Sequence, residues 1–147
     1  MALVSNKKVY FDFEIIEKIE AGIELLGFEV KSLKGGHGSL AGSYVIIRGG
    51  EAFLVGATIP PYQAGNTPSG YDEARPRKLL LNKREIDELV GAEKGKGLTL
   101  VPLSLYNKGG KIKIEIAVAR GKKKHDKREA IKKRDTERDI GRTLKNR

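Results

Sequence analysis

The chain has no cysteine, no tryptophan, a single methionine and only two histidines, His37 and His125. Without thiols there are no disulfides and no thiolate metal sites, so the fold must rest on its own apolar core; a reducing interior is compatible with this but not required by it. The two histidines have no ligand spacing behind them, and a His–carboxylate–nucleophile set with Ser39 or Ser43 finds no support in the spacing. Lys34-Gly35-Gly36-His37-Gly38-Ser39 lacks the Gly-Lys-Ser/Thr ending of a P-loop and reads as a helix stop and turn. Neither catalysis nor a metal or cofactor is expected. Long apolar runs are missing too: none approaches the ~18 residues of a membrane span. The stretch from Met1 to Lys8 also lacks the apolar segment of a secretory signal. A soluble cytosolic protein with no membrane partner is the expectation.

What the chain does have is positive charge, unevenly placed. The net charge is +10 over 147 residues. Residues 120–147 hold 13 of the 29 Lys and Arg but only 5 of the 19 acids, which makes that segment +8 and leaves +2 on residues 1–119. Such clustering favours a polyanionic partner, nucleic acid before membrane, because the segment has no aromatic residue and few apolar ones to insert into lipid. A lysine-rich tail that only aids solubility is the plain alternative. Two parts follow: a folded domain over 1–119 and a basic C-terminal tail over 120–147.

Within the first part, Tyr10 to Leu25 puts apolar residues at odd positions, the period of a strand, with a bend or bulge where Ile16-Glu17 breaks it. A short helix after Gly27 turns Phe28, Val30 and Leu33 inward and stops at Gly35-Gly36. Residues 43–48 and 51–59 flank Gly49-Gly50, which supplies the positive φ angles of a two-residue hairpin turn. Residues 60–77 form a long loop with four prolines. Asn82 and Glu85 make a capping box for a helix whose buried stripe is Ile86, Leu89 and Val90 and which Gly91 ends. A second hairpin joins 98–106 to 111–119, with Pro102 at an edge or bulge. The order predicts a mainly β fold, a small antiparallel oligonucleotide-binding-type barrel of five or six strands with two or three helices and the basic tail.

Several residues are candidates for contact with nucleic acid. Lys7 and Lys8 beside Tyr10 offer phosphate contacts and a stacking ring, or else a solvated chain start. Arg75, Arg77, Lys78, Lys83 and Arg84 gather near the proline loop and a helix N-terminus, which suits a phosphate, although plain surface charge reads the same way. Glu20, a carboxylate among cations, can accept hydrogen bonds from base or ribose donors; facing water is its simpler reading. In the tail, Asp126 and Glu129 imitate a capping box, and Glu129–Lys133, Asp135–Arg138 and Asp139–Arg142 favour helix. Too few apolar residues offset the ordering entropy, so the tail is expected to be disordered when free and helical when docked. His125 is a candidate base-stacking ring.

Asn6-Lys7-Lys8, Glu20-Ala21-Gly22, Glu29-Val30-Lys31-Ser32-Leu33, Arg77-Lys78-Leu79-Leu80-Leu81-Asn82, Ala119-Arg120-Gly121-Lys122-Lys123 and His125-Asp126-Lys127-Arg128 occur in this order and together closely resemble the SsrA-binding protein family, small protein B. The resemblance runs from about Asn6 to the C-terminus. It implies a barrel that holds the tRNA-like domain of transfer-messenger RNA and delivers it to stalled ribosomes for trans-translation. It also implies RNA contacts at Glu20, Lys78, Leu80 and Asn82, and a tail that becomes helical in the vacant messenger channel near the decoding centre. With the residues read above, the candidate RNA-binding set is Lys7, Lys8, Tyr10, Glu20, Lys78, Leu80, Asn82 and Arg84. The candidate ribosome-facing set is Lys122, Lys123, Lys124, His125, Asp126, Lys127, Arg128, Lys132, Lys133 and Arg134. The expected partners are transfer-messenger RNA and the rRNA of the small subunit, with one monomer per RNA; a structural ribosomal protein with an rRNA-threading tail is the alternative. Two positions depart from the family pattern: Asn107, where an aromatic commonly follows the tyrosine at 106, and Gly141, which interrupts the far tail.

Overall fold

The computed structural model describes residues 2–63, 65 and 67–122. Ten elements follow one another: β1 (Ala2–Ser5), α1 (Lys7–Asp12), β2 (Phe13–Ile23), α2 (Gly27–Lys34), β3 (Tyr44–Arg48), β4 (Glu51–Val55), β5 (Arg77–Leu80), α3 (Lys83–Lys96), β6 (Thr99–Lys108) and β7 (Lys111–Gly121). All strands join one antiparallel sheet in the order β1-β6-β7-β2-β5-β4-β3. The mainly β, antiparallel expectation holds, with seven strands instead of five or six. Closure does not hold. β3 comes near β6 as the sheet curls, but no ladder joins them, so the barrel is left open.

Both long hairpins form where the glycine pairs place them. Gly49 and Gly50 sit at φ 60° and 77°, the left-handed pair that a tight turn between right-twisted strands requires. The irregularity expected at Ile16-Glu17 is a β-bulge: the β2–β7 register slips between Ile15, opposite Ala119, and Glu17, opposite Val118. Pro102 lies beside a second bulge, where the register slips between Pro102 and Ser104. β1 pairs with β6 only from Ser104 to Tyr106, so at Pro102 the ladder has β7 alone beside it, and both the bulge and the open side accommodate a residue without an N–H.

Two cores form on opposite faces. The larger gathers Ala21, Leu33, Leu54, Leu79, Leu89, Leu100 and Ile114 inside the curl. The smaller holds Val9, Val101, Leu103, Ala117 and Ala119, with Phe13 and Ile15 packed against it. α1 therefore lies across the far side of β6, β7 and β2, covering the small side chains at the end of β7. This corrects the reading of Tyr10 to Asp12 as strand. α1 buries only Val9, so six residues gave no helical period to detect. Asn6, just before it, is buried, and its amide donates to Leu40 O at 3.3 Å and Pro102 O at 3.2 Å.

α3 begins as expected. Asn82 Oδ1 accepts from Glu85 N at 2.8 Å, and Glu85 Oε1 accepts from Asn82 N at 3.1 Å. Gly91 does not end it. The helix runs to Lys96 and stops at Gly97, which adopts φ 64°.

Candidate nucleic-acid interface

Beyond its bulge β2 alternates: Ile19, Ala21 and Ile23 enter the large core while Lys18 and Glu20 face out, and Gly22, on their side of the strand, is buried beneath Leu80. Gly22 pairs with Leu80 of β5, and Phe53 of β4 pairs with Lys78. One outer stripe therefore carries Lys18, Glu20, Leu80 and Lys78 in sequence across the paired strands β2 and β5. Leu80 is 51% exposed, unusual for a leucine on a sheet, and it covers Gly22 so closely that a Cβ there would lie 3.1 Å from its Cβ and Cδ1. Lys78 pairs with Glu51 at 3.2 Å, and a shallow depression of about 700 Å³ lies between Glu51, Lys78, Leu80 and Lys83. At the other end Lys18 Nζ stands 5.8 Å from the centre of the exposed Tyr10 ring, within the range of a cation–π contact.

Glu20 lies at the middle of this stripe. Tyr106 Oη donates to its Oε2, and Lys108 Nζ donates to Oε1 and Oε2, both at 3.2 Å. The Tyr106 hydroxyl, then Lys108, hold the Glu20 carboxyl below its ordinary range despite a small opposing contribution from desolvation. The same contact, added to burial, pushes the Tyr106 phenol well up, so it remains a donor at every physiological pH. The arrangement is an ionised acceptor ringed by cations and aromatic rings. It suits the N–H and O–H groups of a nucleic acid flanked by phosphates.

A second charged cluster is buried. Glu29, within α2, has no exposed side-chain surface, and neither has Arg77. Arg77 Nη2 donates to Glu29 Oε2 at 2.6 Å and its Nη1 to Ala57 O at 2.9 Å. Arg75 also donates to Glu29, Tyr71 Oη donates to Oε2 at 2.7 Å, and Glu29 Oε1 caps α2 by accepting from Leu26 N at 2.7 Å. Burial works to raise the Glu29 carboxyl, but the bonds from Arg75, Leu26, Arg77 and Tyr71 together bring it down to about 2. Arg77 is thus removed from the expected phosphate cluster. Its guanidinium anchors β5 and the proline loop to α2.

The other candidates fall as follows. Lys7, Lys8 and Tyr10 stand exposed on α1, and Tyr10 is joined to the stripe through Lys18. Lys78 and Leu80 belong to the stripe; Asn82, two residues on, has its side-chain oxygen committed to the α3 cap. Arg84 is 90% exposed and bonds along the helix to Glu88 at 3.6 Å, away from Glu20's partners. Lys122 does not float: its N–H donates to Asp12 O at 2.9 Å and its Nζ to Tyr10 O at 3.1 Å. Lys123, Lys124, His125, Asp126, Lys127, Arg128, Lys132, Lys133 and Arg134 lie outside the described residues. Sequence reasoning missed Lys18, Tyr106 and Lys108. The alternation of β2 places Lys18 on Glu20's face, but Tyr106 and Lys108 reach Glu20 across β7, through a pairing distant in sequence.

An open, curled antiparallel sheet with such an outer face defines a small β protein of the nucleic-acid-binding class. A family model described as SmpB protein matches residues 3–146. An SsrA-binding protein of Caldicellulosiruptor bescii is 52% identical over 97% of this chain and 90% of its own length. One of Paraburkholderia xenovorans is 45% identical over 99% of this chain and 98% of its own. A solved structure described as "tmRNA-SmpB: a journey to the center of the bacterial ribosome" superposes with a TM-score of 0.68 at 41% identity, covering 86% of this chain and 92% of that one. The chain belongs to the SmpB family.

Proposed function

We propose that this protein is a non-enzymatic RNA-binding adaptor. It binds the tRNA-like domain of transfer-messenger RNA through the outer face of β2 and β5 and brings it to stalled ribosomes for trans-translation in the cytoplasm. The observation that carries this reading is Glu20: a carboxylate left open at the centre of a basic stripe, with exposed Leu80 and Tyr10 on either side of it. Double-helical and folded RNA present 2′-hydroxyls and base edges together with phosphates, and this face offers an acceptor, apolar contact and cations for the three. Lys7, Lys8, Tyr10, Lys78 and Leu80 are the contacts proposed beside Glu20, with Asn82 offering its side-chain amide N–H groups and Arg84 supplying charge further along α3. The basic segment that follows Lys122 is assigned to the rRNA of the small subunit, where it occupies the channel that a message has vacated. No catalytic step is assigned; a chain with two histidines and no cysteine is poorly equipped for one.

The test separates the two surfaces. Glu20→Ala or Leu80→Ala weakens capture of the tRNA-like domain while the far-ultraviolet circular dichroism stays unchanged. Deleting 123–147, which keeps the Lys122 contacts to α1, spares capture and abolishes peptide tagging on stalled ribosomes. Loss of primary RNA binding in the truncated protein, with tagging falling only in proportion, would contradict the division.

A further inference from the structure

We infer that Tyr106 and Lys108 are positioning residues that hold the Glu20 carboxylate as a fixed, one-sided acceptor, leaving Oε1 as the oxygen that receives a nucleobase N–H or a ribose hydroxyl. The inference rests on the reading of Glu20 given above and deepens it.

The sheet register poses the problem these two residues solve. Glu20 lies directly opposite Glu115 on β7, and like charges facing across strands repel. An RNA arriving at this face brings further negative charge. A carboxylate so placed tends to take up a proton, and a neutral carboxyl no longer offers the same acceptor. β6 supplies the remedy from beyond β7. Tyr106 pairs with Lys113 and stretches its hydroxyl over to Oε2, while the Lys108 ammonium bridges both oxygens.

The bonds are unequal on the two oxygens. Oε2 takes Tyr106 and Lys108, which fills its two lone-pair positions; Oε1 takes only the shared ammonium at 3.2 Å. A carboxylate has about four acceptor positions, so the open one lies on Oε1. The Glu20 side chain is 40% exposed, which leaves room for a partner to reach it. Such an acceptor bonds to donors and repels phosphate oxygens. RNA is then oriented with a base edge or 2′-hydroxyl toward Glu20 and its phosphates toward Lys18 and Lys78.

A double-mutant cycle tests this, with the isolated tRNA-like domain of transfer-messenger RNA as the probe and affinity read by fluorescence anisotropy at fixed salt. Tyr106→Phe keeps the ring and removes only the hydroxyl. It weakens binding by about tenfold, the scale of a hydrogen bond to a charged group. In a Glu20→Ala background the same change costs nothing further, because there is no carboxylate left to position. The pH profile gives a second readout: the acid-side fall in affinity begins at higher pH in Tyr106→Phe than in the parent protein. The positioning role is overturned if Tyr106→Phe binds like the parent, or if its cost persists undiminished in the Glu20→Ala background. An unchanged affinity in Glu20→Ala itself overturns the Glu20 contact and the positioning role together, which marks that failure apart from the other two.

Discussion

Glu29 collects bonds from two arginines, a tyrosine and the backbone of Leu26, yet exposes no side-chain surface. Removing one partner of a buried ion pair strands the other, which typically costs about 3–5 kcal/mol, more than any surface pair contributes. The charge also sets a pH dependence. Its carboxyl lies at about 2 when folded against an ordinary 4.5, so the folded state binds fewer protons than the unfolded one between those values. Stability from this group is complete above about pH 4.5 and is lost as pH falls toward 2. The loss is on the order of 3 kcal/mol for a shift of this size. Urea unfolding at pH 6 and pH 3 measures it: Glu29→Gln starts less stable and lacks this part of the acid slope. Equal slopes in the two proteins would remove Glu29 from the account. The residue was invisible in the sequence as a core group because a Glu at the start of a helix reads as a surface residue favoured by the helix dipole. Only the fold brings Arg75 and Arg77 to it, from more than forty residues away.

At the scale of elements, the local signals were legible and the non-local ones were not. Two glycine pairs located both hairpins, and a lapse in alternation located the β2 bulge, because turn chemistry and side-chain period act within a few residues. β1 and β5 escaped notice. Each has four residues, and β5 reads Arg-Lys-Leu-Leu, with its buried arginine where an apolar residue would mark a strand. The α3 capping box was likewise readable, and it matters to the stripe because Asn82 stands two residues beyond Leu80. Asn82→Ala removes the acceptor for Glu85 N and should lower stability by about 1 kcal/mol, measured by thermal or urea unfolding. A Ser replacement restores most of it. Gly91 shows the limit of such punctuation. A glycine with open space around it on an exposed helix face costs roughly 1 kcal/mol relative to alanine and does not end a helix that tertiary contacts support on both sides.

Taken whole, the chain carries +2 on residues 1–119 and +8 on residues 120–147. Affinity for RNA should then carry a steep ionic component. Contact with ~6–10 phosphates implies a fall of roughly 10³–10⁵-fold between 50 and 200 mM salt, on the scale known for duplex DNA. Titration of the full chain against ribosomes measures this, and a flat response would contradict phosphate-led docking. The candidate site was only partly readable at this scale: Glu20, Leu80 and Lys78 were singled out, whereas the pairing order that makes them neighbours of Lys18 and Tyr106 belongs to the assembled sheet.

The two bonds from Lys122 to the end of α1 have a geometrical consequence. The basic arm starts from an anchored post, and that post stands on the same short helix that presents Tyr10. A partner held at Tyr10 would therefore lie at a set distance from the point where the basic segment begins.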